Sequence, residues 1–200
     1  MKFYLLDDPQ IPAKYAMFSH LGTWSNVGIC KTCGLSTDKL IEPILVEWEP
    51  GTDVIGDFSW CGYTMLVRDR VKQFFDDEKL NCWYGKIQYA PPTGRKRPKR
   101  VPFPYTGPRL YWAISQNRVL LNEKLSRVDL EIDCKVCGQK DYTFRQTGIV
   151  INKSDWKGEK MFEFVQFGKS GATFVIEPLL KEMIARGFTN FTYMESGVIQ

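Results

Sequence analysis

The stretch "GICKTCG", residues 28–34, returns as "IDCKVCG" at residues 132–138. The shared phrase is Cys-Lys-x-Cys-Gly, and the reading of the whole chain turns on it. Two cysteines separated by two residues present two thiolates from one turn, the spacing that tetrahedral metal sites use. A glycine after the second cysteine accepts positive φ and lets backbone N–H groups turn toward the sulfurs. Two such turns facing each other make a closed four-thiolate site, with Cys30, Cys33, Cys134 and Cys137 as metal ligands. Structural zinc is the expected cofactor, because a closed site leaves no coordination position for a substrate. Lys31 and Lys135 would offset part of the excess negative charge.

Two other readings of the pairs stay open. One is a thiol oxidoreductase, whose redox cysteines start a helix so that the dipole lowers the thiol pKa. The segments after the pairs, "GLSTDKLIEP" and "GQKDYTFRQTG", are turn-rich and reach strand-like residues quickly, which fits a helix poorly. The other is unbound thiols. Cys61 in "FSWCGYT" and Cys82 in "LNCWYG" lie beside tryptophans and read as small buried hydrophobes.

Working outward, the repeat extends beyond the cysteines. Met65-Leu66-Val67 and Phe174-Val175-Ile176 are short apolar runs suited to buried strands. Val71, Phe74 and Phe75 follow the first at helical spacing, and Leu179, Leu180, Met183 and Ile184 follow the second. Pro178 and Gly187 mark the expected start and end of the latter helix. A strand then closes each unit, at residues 86–89 and 191–193. Thr64 lies 34 positions after Cys30, and Thr173 lies 39 after Cys134. The expectation is an α+β protein of two similar strand–helix–strand halves, an internal duplication bridged by the four-cysteine site.

Residues 90–108, "APPTGRKRPKRVPFPYTGP", separate those halves, 1–89 and 109–200. Six of the eleven prolines fall there, so regular structure is expected to stop and give a linker or exposed loop. The segment also holds Arg95, Lys96, Arg97, Lys99 and Arg100 and no acid. Without those five cations the net charge of +4 becomes −1, so the basicity belongs to an arm and not to the fold. Residues 95–100 can meet phosphates, which makes a zinc-ribbon nucleic-acid-binding protein the alternative reading. Aromatic residues able to stack on bases lie just beyond, in "VPFPY" and "LYW".

Catalytic patterns are missing from the sequence. His20 is the single histidine and sits among apolar residues in "AMFSHLGTW", as a satisfied, partly buried side chain would. No phosphate loop, dinucleotide fingerprint or zinc-protease helix occurs. Asp76 and Asp77 fall on the polar face of the first helix, as solvated charges do. The chain is therefore expected not to be an enzyme. No run of about 18 apolar residues exists, so no membrane span is expected. "MKFYLLDDPQ" reads as a first strand and not as a signal peptide, which places the protein in the cytoplasm with reduced thiols.

The two Cys-x-x-Cys-Gly phrases, the opening "MKFY" and the closing "MFEFVQFGKSGATFVIEPLLKEMIARGFTNFTYMES" together resemble the double-CXXCG motif proteins, a bacterial family. The middle of the chain, with the basic arm, lies outside that likeness. Many members are immunity proteins that bind and neutralise a cognate protein toxin, so the resemblance implies binding without turnover. It also implies that Cys30, Cys33, Cys134 and Cys137 are zinc ligands, and it supplies no catalytic residue. Immunity proteins against nuclease toxins are often acidic, and this sequence departs from that pattern.

Overall fold

The computed structural model describes residues 1–9, 14–21, 25–40, 43–49, 52–90, 101–168 and 171–200. The basic residues 95–100 lie outside the described residues. Among those described, the chain forms sixteen strands and three helices. It is thus a mixed fold dominated by strands. The sequence reading found β1, β7, β8, β15, the start of β16 and the helices that follow β7 and β15, and it did not mark β9 or the strands between residues 18 and 61.

Six strands close into a barrel. They are β2 (Phe18–His20), β5 (Ile44–Trp48), β6 (Phe58–Cys61), β7 (Thr64–Arg68), β8 (Cys82–Tyr89) and β9 (Leu110–Ser115), in the order β2-β5-β8-β9-β7-β6. The alternation in β5 explains the closure: Ile44, Val46 and Trp48 are buried while Leu45 and Glu47 are half-exposed. They pack with Phe18, Leu66 and Trp112 in one apolar cluster. Met65 and Val67, the neighbours of Leu66, face the other way and join a second, larger core.

The second sheet contains β10 (Arg118–Val119), β14 (Met161–Phe164), β15 (Phe174–Ile176), β1 (Lys2–Asp7), β16 (Thr192–Ile199) and β13 (Ile149–Ile151), in that order. Phe3, Phe162, Phe164 and Phe174 are wholly buried on it and meet mostly edge to face. The helices α1 (Asp69–Asp77) and α3 (Glu177–Ala185) bury their apolar stripes in the same core through Val71, Phe74 and Phe75 and through Leu179, Leu180 and Met183. Ile184, read from sequence as part of the second stripe, is instead 47% exposed. A one-turn helix, α2 (Glu123–Ser126), is capped by the Asn122 side chain, which accepts from the Leu125 N–H at 2.9 Å.

The two sheets match strand for strand. Taken from β2, the barrel runs β2-β6-β7-β9-β8-β5, and the second sheet runs β10-β14-β15-β1-β16-β13. The senses agree at every step: parallel, then three antiparallel pairings, then parallel. Register agrees as well. Leu66 opposite Trp112 corresponds to Phe174 opposite Leu5, and Ile44 opposite Ile87 corresponds to Ile149 opposite Gly197. One extra residue in β16, Ser196, forms a bulge, and its hydroxyl accepts from the Leu5 N–H at 3.2 Å. The turns after α1 and α3 are equivalent too: Lys79 (φ 54°) donates to the Asp76 carbonyl, and Gly187 (φ 64°) donates to that of Ile184.

Each sheet contains a strand from the other half of the chain. β1 lies between β15 and β16, and β9 lies between β7 and β8. The strands on either side of the segment read at residues 90–108, β8 and β9, are antiparallel neighbours in the barrel, and residues 91–100 of that segment lie outside the described residues. A buried clasp also joins the halves. The Asp57 carboxylate, 2% exposed, accepts from the Thr189 N–H and hydroxyl, both at 2.9 Å.

Candidate metal centre

Two small ribbons carry the cysteines. β3 (Ser25–Ile29) pairs with β4 (Ser36–Leu40), and β11 (Leu130–Asp133) pairs with β12 (Lys140–Tyr142). Their turns are built alike. Cys30 N–H donates to the Leu35 carbonyl at 2.9 Å, and Gly34 N–H donates back to the Cys30 carbonyl at 2.8 Å. Cys134 with Gln139 and Gly138 with Cys134 repeat both bonds at the same lengths. Gly34 (φ 76°) and Gly138 (φ 72°) take the left-handed conformation that ends each turn, which a side chain would strain.

The ribbons bring all four thiols together. Cys30 Sγ lies 3.9 Å from Cys134 Sγ, and Cys33 Sγ lies 3.7 Å from Cys137 Sγ. All four sulfurs fall within 4.8 Å of one another. A tetrahedral ion with bonds of about 2.3 Å to sulfur needs sulfur–sulfur edges of about 3.8 Å. The cluster could therefore hold a four-thiolate metal ion, and the four cysteines singled out in the sequence are the four that lie together.

The electrostatics favour a cation. Backbone N–H groups of Cys33 and Thr32 point at the Cys30 sulfur and hold its pKa down to about 6. Those of Cys137 and Val136 lower Cys134 in the same way. Cys33 feels the N–H of Leu35, which draws it down, but burial and the neighbouring thiols outweigh this and push it up to about 12. Cys137 rises for the same reasons, against the pull of the Gln139 N–H. The four thiols thus split into a lowered pair, Cys30 and Cys134, and a raised pair, Cys33 and Cys137, where burial and then the neighbouring thiols resist ionisation. A bound dication removes that resistance, since it draws protons off all its ligands.

The lysines of the motif behave differently from expectation. Lys135 pairs with Asp133, and Lys31 is exposed. Charge relief at the sulfurs thus comes from backbone N–H groups. Cys61 and Cys82 take no part; burial pushes each up to about 12, which leaves neutral, apolar thiols. His20 is half-buried with its Nε2 2.8 Å from the Cys61 carbonyl, and burial lowers its pKa. Asp76 pairs with Lys72 at 2.6 Å, and Asp77 accepts from Gln73 at 2.9 Å, both on the exposed side of α1.

The aromatics beyond the basic arm serve the barrel. Trp112 is wholly buried, and Tyr105 packs on Trp48 and Tyr89 with ring centroids at 4.9 and 4.6 Å. They form a plug at the barrel wall and leave no row of open rings. No helix among the described residues is long and apolar enough to cross a membrane. No family model matches the chain, and no curated protein matches it.

Proposed function

We propose that this chain is an immunity protein that binds and neutralises a cognate bacterial toxin, and that Cys30, Cys33, Cys134 and Cys137 hold one structural zinc ion. The observation that carries the metal assignment is the cluster of four sulfurs within 4.8 Å of one another, two of whose edges, 3.9 and 3.7 Å, match a tetrahedral four-thiolate site. Thiolate ligands are soft, which favours zinc over magnesium or calcium. Four protein ligands fill the coordination shell, so the ion holds two ribbons together and activates nothing. The toxin assignment rests on the paired Cys-x-x-Cys-Gly phrases and the closing segment, and it reads the molecule as a rigid surface that occludes its target. The halves are read as copies of one unit; the matched pairing order, register and turn bonds of the two sheets support this.

The test of the binding role is survival. A bacterial cell expressing the toxin encoded beside this gene should live when this chain is co-expressed and die without it. Replacing Arg95, Lys96, Arg97, Lys99 and Arg100 together with neutral residues should leave rescue intact. Tight, salt-sensitive nucleic-acid binding with no rescue would overturn the assignment.

A further inference from the structure

The first strands of the two halves share a pattern that the sequence reading overlooked. Lys2-Phe3-Tyr4-Leu5-Leu6 aligns with Arg109-Leu110-Tyr111-Trp112-Ala113. Register confirms the alignment, since Tyr4 lies opposite Val175 where Tyr111 lies opposite Val67. Neither strand pairs inside its own half. Each fills a slot flanked on both sides by strands of the other half, and so satisfies two rows of backbone donors and acceptors there.

The sulfurs obey the same relation. Cys30 approaches Cys134, and Cys33 approaches Cys137, so equivalent residues face each other as they do across a two-fold axis. The connections obey it too. β8 continues into β9 through residues 90–109, and the equivalent strands β16 and β1 bring the chain ends together. Met1 N donates to the Ile199 carbonyl at 2.9 Å, and Ile199 N–H donates to the Met1 carbonyl at 2.8 Å.

We infer that the chain is a strand-exchanged homodimer fused into one polypeptide. Its repeating unit is an interaction module whose partner is a second copy of itself. The unit gives its first strand to the partner's sheet and two thiols to a shared metal. This rests on the duplication reading above and goes beyond it: the halves are held by the exchanged strands and the metal is an addition.

The experiment uses the whole chain with a specific protease site placed within residues 91–100. After cutting, the two fragments should elute together, and should still do so after the metal is chelated. They should part only in denaturant. Separation on chelation alone would overturn the exchange. Metal content is read independently: fragments that stay together but never bind metal would remove the zinc and leave the exchange standing. A circular permutant tests the duplication itself. It joins residue 200 to residue 1 with a short glycine linker and opens the chain within 91–100. It should fold as a monomer with unchanged metal content and a melting temperature within a few degrees of the parent. Failure to fold with every linker length tried would overturn the duplication, whatever the cut protein does.

Discussion

The barrel and the second sheet use one pairing scheme and fill it differently. The barrel closes because β2 pairs with β5 over three residues. In the second sheet the equivalent strand is two residues long, and the chain turns into α2. One backbone bond matches at the seam: Asn122 N–H to the Val150 carbonyl at 2.8 Å, where the barrel has Leu21 N–H to the Leu45 carbonyl at 3.0 Å. The packing has shifted as well. Each exchanged strand lays one large buried ring over a glycine, Trp112 over Gly85 in the barrel and Phe3 over Gly197 in the second sheet. The ring has moved two positions along the strand, which keeps it on the same face. A sheet thus tolerates different side chains provided that a cross-strand pair divides the available volume between a large and a small partner.

The largest effects should come from those rings. Trp112→Ala and Phe3→Ala should each cost about 3–5 kcal/mol in urea unfolding. Gly197→Ala should be as severe, because its Cβ would sit 1.9 Å from the Ile149 carbonyl oxygen. The pair opposite is interchangeable. Leu5 and Met194 occupy in the second sheet the places of Trp112 and Gly85. Gly85→Met alone should prevent folding, and adding Trp112→Leu should bring stability back to within about 1.5 kcal/mol of the parent. No recovery would mean that the two sheets are not equivalent at this register.

Next come the cysteines. Cys30→Ser and Cys134→Ser should lose the metal and cost similar amounts, on the order of several kcal/mol, because each supplies one of four equivalent bonds. Metal analysis and thermal unfolding read both. A large loss from one and none from the other would break the two-fold relation. Gly34→Ala and Gly138→Ala should each cost about 1 kcal/mol through φ alone, since nothing lies within 4 Å of either added methyl.

The smallest effect separates the sheets by pH. Glu163 on β14 is buried, and burial raises its pKa above the ordinary 4.5 despite the attraction of Arg118. The native state therefore binds this proton more tightly than the unfolded chain does. Its contribution is most favourable below the ordinary value and declines as pH rises through the native pKa. Glu163→Gln should flatten the dependence of the urea midpoint on pH above about 4.5. The corresponding place in the barrel is Trp60, which carries no charge to titrate.

Much of this was legible in the sequence, and the reason is locality. The strand–helix units at residues 64–77 and 174–185 declare themselves through an apolar run followed by a helical stripe. The cysteine turns declare themselves through five consecutive residues, and the fold brings those four ligands together. The barrel was not legible, because β2 and β6 are too short to carry a pattern and the partners of β2 lie well along the chain, in β5 and β6. The likeness of β1 to β9 was missed for a different reason. "KFYLL" and "RLYWA" share only one identical residue, Tyr4 with Tyr111, and each lies at the edge of the half to which it does not belong in space. Ile184 was misplaced because a helix stripe read from spacing alone is wider than the face that the core covers.

The order of synthesis gives the position of β1 a last consequence. Every strand of the barrel has been synthesised once residue 115 is added. β1 is made before any of them, yet its neighbours are residues 174–176 and 192–199. It must stay unpaired while nearly the whole chain is built, carrying Phe3, Leu5 and Leu6 exposed. Contacts that span almost the full length form slowly, because loop closure comes before any stabilising pairing. Folding of the nascent chain should thus proceed from the barrel outward, with β1, made before the barrel, among the last strands to find its place.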